Sequence, residues 1–216
     1  MKIVNIIVDS SRIVDYLVAP IRKNKNLLKG RGYKIKFYSS IKKEALICDV
    51  LLLVSKAVFG IVEEKDIIIK EGSPTLKLIS KARKYADKII WMDNSDSTSV
   101  THFELLPFVD LYLKKQLFKD KTLYQKDFIG GRIFTDYYHH HFGITDDSKF
   151  KQFYPLDTKL ADKVDLSWNI GLGNMYNPFT KKEKLRLKFP KIIPLSHNIE
   201  YTTPQFKKEI DIFIRT

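Results

Sequence analysis

At 216 residues, 44% of them hydrophobic, the chain is long enough for a sizeable core and too apolar to be intrinsically disordered. Lys and Arg outnumber Asp and Glu by 38 to 25, and the net charge of +13 admits nucleic acid, an anionic membrane face or a phosphate-bearing ligand as partner. No apolar run approaches the roughly 20 residues that span a bilayer. The single Cys48 excludes a disulfide framework and a Cys-based zinc site, and fits a reducing cytoplasm.

Taken in order, residues 2–8 read as a near-continuous apolar strand, the pattern of a parallel strand covered on both faces. The run is too short for a signal peptide and lacks a small-residue cleavage site. Asp9-Ser10-Ser11 closes it and supplies helix caps. Residues 12–29 carry apolar side chains at helical spacing, with Pro20 expected to break or kink the helix. Residues 33–38 are a second strand and 48–54 a third, stopping at Ser55-Lys56. Residues 66–70 read as a short further strand. Ser73-Pro74 starts a helix that runs to about Ala86. Residues 88–92 and 109–113 complete a sheet of five or more mostly parallel strands.

The expected fold is therefore α/β: a Rossmann-like, mostly parallel sheet with helices on both faces over residues 1–145. Residues 146–216 form an irregular, Pro-punctuated C-terminal extension, set apart from the core or continuous with it as one domain. The extension ends in a strand-like run at 210–214, a hydrophobic edge expected to pair with another copy of the chain or stay unpaired.

Open parallel sheets bind ligands outside the carboxyl ends of their strands, so the residues that follow each strand carry the functional interest. Asp93-Asn94-Ser95-Asp96 offers two carboxylates after a strand, spaced D-x-x-D and not the D-x-D of a metal–diphosphate motif; the same residues serve as a capped turn. His139-His140-His141 does not converge on a metal, since consecutive side chains fan out by about 100° on a helix and alternate on a strand. Gly171-Leu172-Gly173 lacks the third glycine of a dinucleotide fingerprint. The glycines at 130–131 lie between a polar segment and a strand-like one. Neither a P-loop nor a nucleophile elbow is present in the sequence. Basic residues come in scattered pairs (Lys42-Lys43, Lys114-Lys115, Lys181-Lys182, Lys207-Lys208), without the reading element of a nucleic-acid binder. Neither nucleic acid, metal nor cofactor is expected.

At Asp93-Asn94-Ser95-Asp96-Ser97, Leu105-Leu106-Pro107, Val109-Asp110-Leu111-Tyr112-Leu113-Lys114-Lys115-Gln116 and Gly131-Arg132-Ile133-Phe134-Thr135-Asp136-Tyr137-Tyr138-His139, the chain resembles the N-terminal half of bacterial two-Rossmann (GT-B) glycosyltransferases from surface-polysaccharide gene clusters. Arg22–Tyr33 looks like their first helix and turn, and Asp211–Arg215 like the strand leading to their second domain. The resemblance implies the acceptor-side half of an enzyme. A C-terminal domain, missing here, would hold the nucleotide-sugar donor, and a glycan or lipid-linked acceptor would lie against this half.

On that reading Asp93, Asp96, Asp136 and His139 are candidates for the base that takes the acceptor hydroxyl's proton. Ser10, Ser55, Asn94, Ser95 and Ser97 are candidate acceptor contacts. Lys56, Lys114 and Arg132 are candidates to meet phosphates, and Tyr137 to stack on a sugar ring. Such a protein would be cytoplasmic, with peripheral contact to an anionic membrane. The alternative is a stand-alone basic module for nucleic acid or another polyanion.

Overall fold

The computed structural model describes residues 1–64, 69–145 and 154–168. They fall within one compact unit spanning Met1–Pro178. Six strands form one sheet: β1 (Lys2–Ile7), β2 (Tyr33–Tyr38), β3 (Cys48–Val54), β4 (Ala86–Asp93), β5 (Leu111–Lys114) and β6 (Val164–Leu166), in the order β2-β1-β3-β4-β5-β6. Every pairing is parallel. The helices are α1 (Arg12–Lys23), α2 (Lys25–Gly30), α3 (Lys43–Leu46), α4 (Ser55–Val62), α5 (Pro74–Ala82) and α6 (Ile133–Phe142), with a 3₁₀ segment at Phe103–Phe108.

Strand periodicity divides the core in two, because alternate side chains point to opposite faces. Ile6, Leu52, Val54 and Met92 meet Val14, Leu17 and Val18 of α1 on one face. Ile7, Leu51, Leu53, Ile89 and Trp91 pack on the other with Ala45, Leu46, Val58, Leu78 and Ile79 from α3, α4 and α5. Both faces of β3 are thus covered, which is why its sequence is apolar without alternation. The α/β class and the helix-flanked parallel sheet read from the sequence are the fold observed.

The chain leaves β1 for β2 at the edge, then returns past β1 to β3 and moves outward on the other side. The carboxyl ends of β1 and β3 therefore flank the topological switch point, where connections diverge to opposite faces and leave a crevice.

Four local expectations need correcting or completing. Pro20 sits inside α1, and the break comes at Asn24, whose N–H and Nδ2 both bond to the Pro20 carbonyl. Burial of Val14, Leu17 and Val18 against the sheet carries the helix past the proline's missing donor. The helix after Ser73 ends at Ala82, and β4 begins two residues earlier than expected, at Ala86. Ser73 does cap α5, its Oγ accepting from Leu76 N–H at 3.2 Å. The strand-like segment after Gly131 is the helix α6, and it begins where Gly130 and Gly131 adopt positive φ of 67° and 68°. The sheet also takes its sixth strand from Val164–Leu166, inside the Pro-punctuated segment. Most of the 66–70 strand, the Gly171–Asn174 turn and the 210–214 strand, with the self-association read from it, lie outside the described residues.

Candidate functional site at the carboxyl edge of the sheet

Because all six strands run the same way, the residues following β1, β3, β4 and β5 lie along one edge. Asp9, Ser10 and Ser11 follow β1. Ser11 caps α1, its Oγ accepting from Val14 N–H while its own N–H and hydroxyl donate to Asp9 Oδ1 at 2.9 and 2.6 Å. Ser10 is exposed between them.

Ser55 and Asn94 tie the tips of β3 and β4 together. Ser55 Oγ donates to Asn94 Oδ1 at 2.5 Å and accepts from Asn94 N–H at 3.1 Å, and the same Oδ1 accepts from Lys56 N–H at 3.1 Å. Both side chains are buried, and the Lys56 side chain is exposed. Asn94 Nδ2 is buried with no hydrogen-bond partner among the described residues.

Beneath the edge lies a buried polar cluster centred on Asp93. Its Oδ2 accepts from Tyr112 OH at 2.5 Å and Lys114 Nζ at 3.3 Å, and its Oδ1 from Ser95 N–H at 2.8 Å. Lys114 Nζ also donates to the Val100 carbonyl at 2.7 Å, and Tyr112 OH accepts from His102 N–H at 2.8 Å. Burial alone would raise the Asp93 pKa; the charges of Lys114 and His102 and the bonds from Ser95 and Tyr112 outweigh it and hold the carboxyl well below its ordinary range. Burial pulls the Lys114 ammonium down from its usual value while Asp93 pushes it back up. Burial, and then the Asp93 charge, raise the Tyr112 phenol well above its ordinary value, so its proton stays in place.

The sequence-selected residues thus separate into two groups by accessibility. Asp93, Asn94, Ser55, Lys114 and Asp136 are buried, and their polar atoms mostly serve other protein groups. Ser10, Lys56, Asp96 and Tyr137 are exposed, and Ser95, Ser97, Arg132 and His139 are half-buried. Asp96 is 77% exposed and accepts from the buried Lys115 Nζ at 2.6 Å. It is the open carboxylate of the edge.

The 93–99 turn and the segment before α6 do meet, where Ser99 Oγ donates to the Gly131 carbonyl at 2.9 Å and pairs with Ser97 Oγ at 3.0 Å. Asp136 does a different job: its oxygens accept from Lys126 Nζ at 2.7 Å and Ile129 N–H at 3.1 Å, pinning α6 to the preceding loop. Burial works to raise its pKa, but those bonds and the Lys126 and His140 charges set it below the ordinary value. His139 bonds to the Ile144 carbonyl, His140 approaches Asp136 at 3.7 Å, and His141 donates to the Tyr137 carbonyl and stacks on its ring at 3.9 Å. The three imidazoles diverge around the helix. No group of three or more His, Cys, Asp or Glu side chains among the described residues is placed to hold a metal.

Sequence reasoning missed Tyr112, His102 and Lys115. Tyr112 was available as the in-register neighbour of Trp91, two residues before the Lys that faces Asp93. His102 carried no such signal, since it reaches the cluster from a loop. Trp168 donates Nε1–H to the Leu17 carbonyl at 2.6 Å and packs against the α1 face.

The chain matches no protein-family model, no curated protein and no solved structure. Its class is set by its own geometry: an all-parallel, doubly wound α/β sheet with a polar carboxyl edge. Among the described residues no helix is long and apolar enough to cross a membrane.

Proposed function

We propose that the carboxyl edge binds the acceptor of a sugar-transfer reaction, a glycan or a lipid-linked sugar, as the acceptor-side half of a GT-B type glycosyltransferase. The resemblance in the 93–139 tract motivates this reading, and one observation carries it on the structural side. Asn94 presents a buried amide donor without a partner among the described residues, at an edge whose neighbours Lys56, Ser95 and Asp96 reach solvent. A buried donor left unmade costs about 1–3 kcal/mol, and an incoming hydroxyl or phosphate oxygen relieves that cost. Asp96 is the best-placed base by access: it is paired with Lys115 yet 77% exposed, whereas Asp93 and Asp136 are buried. Lys56 stands beside the start of α4 and meets an acceptor phosphate there, where helix N–H groups favour negative charge.

Isotope-labelled protein titrated with a short-chain prenyl diphosphate sugar tests the reading. The expected amide shifts are confined to residues 9–11, 55–57 and 93–99. Shifts elsewhere, with the edge silent, would overturn it. Calorimetry with UDP-, GDP- and CDP-sugars is expected to show weak binding or none. Micromolar binding with turnover by this chain alone would replace the half-enzyme reading with a self-sufficient transferase.

A second reading, polyanion binding, has its own observation. An open groove of about 880 Å³ beside α5 is lined by Lys70, Lys77, Lys81 and Lys84, with Glu71 and Glu104 the acids among its described lining residues. Binding there is expected to collapse between about 50 and 200 mM salt, whereas binding of a neutral sugar at the edge is not.

A further inference from the structure

A surface helix of a globular protein normally turns its apolar stripe inward and its polar residues outward. Helix α6 is reversed. Its one buried residue is Asp136. Thr135 Oγ1, next to it, donates to the Ile129 and Arg132 carbonyls at 2.6 and 2.8 Å. Phe134, Tyr137, Tyr138 and Phe142, by contrast, are 48–64% exposed. Their spacing (i, i+3, i+4, i+8) places them on one stripe, and Ile133 and Ile144 extend it at either end, also exposed. The rings of Tyr137, Tyr138 and Phe142 contact one another, Tyr137 with Tyr138 at 5.7 Å and Tyr138 with Phe142 at 5.8 Å, and Tyr137 also stacks on His141. A contiguous exposed apolar patch of this kind marks an interaction surface.

We infer that this stripe docks the protein on an anionic lipid surface, α6 lying in the interfacial plane with its rings among the headgroups. Charge selects the occupant. A second copy would bring +13 against +13, whereas an anionic bilayer attracts the chain. A cation borders the stripe: the Arg132 guanidinium lies 5.6 Å from the Phe134 ring centroid. Phenylalanine and tyrosine are also side chains that suit the boundary between headgroup and acyl chain, where one end is apolar and the other wet. The docking does not depend on what the carboxyl edge binds, and its test contains no sugar.

The test is flotation of the purified chain with vesicles of phosphatidylcholine, with and without phosphatidylglycerol. The parent is expected to float with the phosphatidylglycerol vesicles only. A Phe134→Ser/Phe142→Ser variant that keeps the parent's circular dichroism and melting temperature is expected to partition about tenfold or more weakly, since each ring forfeits apolar burial. Phe142→Trp supplies a reporter whose emission shifts to the blue on vesicles and is quenched by brominated acyl chains. If the double variant floats like the parent, or the parent does not float at all, the inference is overturned. It is equally overturned if the parent dimerises in solution and the double variant is a monomer, because the stripe is then a protein interface.

Discussion

Asp93 and Lys114 stand in register on neighbouring parallel strands, their charged groups 3.3 Å apart and neither side chain exposed to any degree. The pair closes the carboxyl ends of β4 and β5, and Tyr112 and Ser95 complete the carboxylate's shell. A buried ion pair of this kind contributes little net stability against an apolar pair, yet losing one partner is costly because the other remains buried and charged. Asp93→Asn is therefore expected to cost about 3–5 kcal/mol in urea unfolding. Combining Asp93→Leu with Lys114→Met should cost less than the single variant. A double variant no better than Asp93→Asn would show that the pair is not the unit that matters.

The same pair has a pH signature. The Asp93 carboxyl is held below its ordinary value in the folded state, so its contribution is complete above the unfolded value of about 4 and is lost as pH falls through that value toward the folded one. The stability gap between the parent and Asp93→Asn should accordingly be constant from pH 5 to 7 and narrow below about pH 4. Urea midpoints measured across that range provide the check. A gap that widened on acidification would reverse the sign and defeat the assignment.

Tyr112→Phe removes a hydroxyl that donates to Asp93 and accepts from His102 N–H, and it leaves that buried N–H without its partner. The expected loss is about 1–3 kcal/mol. Since a phenyl ring keeps the packing against Phe103 at 5.3 Å, the far-ultraviolet circular dichroism should change little while the melting temperature falls.

Ser55→Ala acts on the other tie at the edge. It strips the hydroxyl from Asn94 Oδ1 and orphans the Asn94 N–H, loosening β3 from β4 at their tips. A stability loss of about 1–3 kcal/mol is expected. If the edge binds an acceptor, affinity should fall as well, because the Asn94 amide loses the partner that orients it. Unchanged affinity with reduced stability would remove Asn94 from the binding surface.

The sheet was legible because apolar runs of strand length, each stopped by Ser, Asp or Lys, give both the strands and the edge that their ends share. Burial of the edge residues was not. Asp93 and Asp96 look alike in the sequence, each in a turn after a strand, but Asp93 is the last residue of β4 and faces Tyr112 and Lys114, while Asp96 has left the sheet. Three residues along the chain separate a structural carboxylate from an accessible one. The segment after Gly131 reads as strand-like because aromatic and β-branched side chains favour strands. The helix forms there because Gly130 and Gly131 turn the chain and Asp136 anchors it, both effects of tertiary context.

That anchor supports the last prediction. Asp136 uses both oxygens, one for Lys126 Nζ and one for Ile129 N–H, so Asp136→Asn must turn an NH₂ group toward one of two donors. Either orientation breaks one bond and leaves α6 tethered by the other. The core lies elsewhere, in the two clusters flanking the sheet, and its melting temperature should shift only slightly. Amide exchange across residues 129–142 should quicken instead, and trypsin should cut sooner after Arg132. The carboxylate's pKa is set below its ordinary value, so the anchor is complete above about pH 4 and weakens as pH falls through that region. Exchange in α6 of the parent, corrected for intrinsic rates, should therefore approach that of the variant in acid. If Asp136→Asn exchanges like the parent across 129–142 at neutral pH, α6 is held by something other than Asp136, and its reversed polarity would need another explanation.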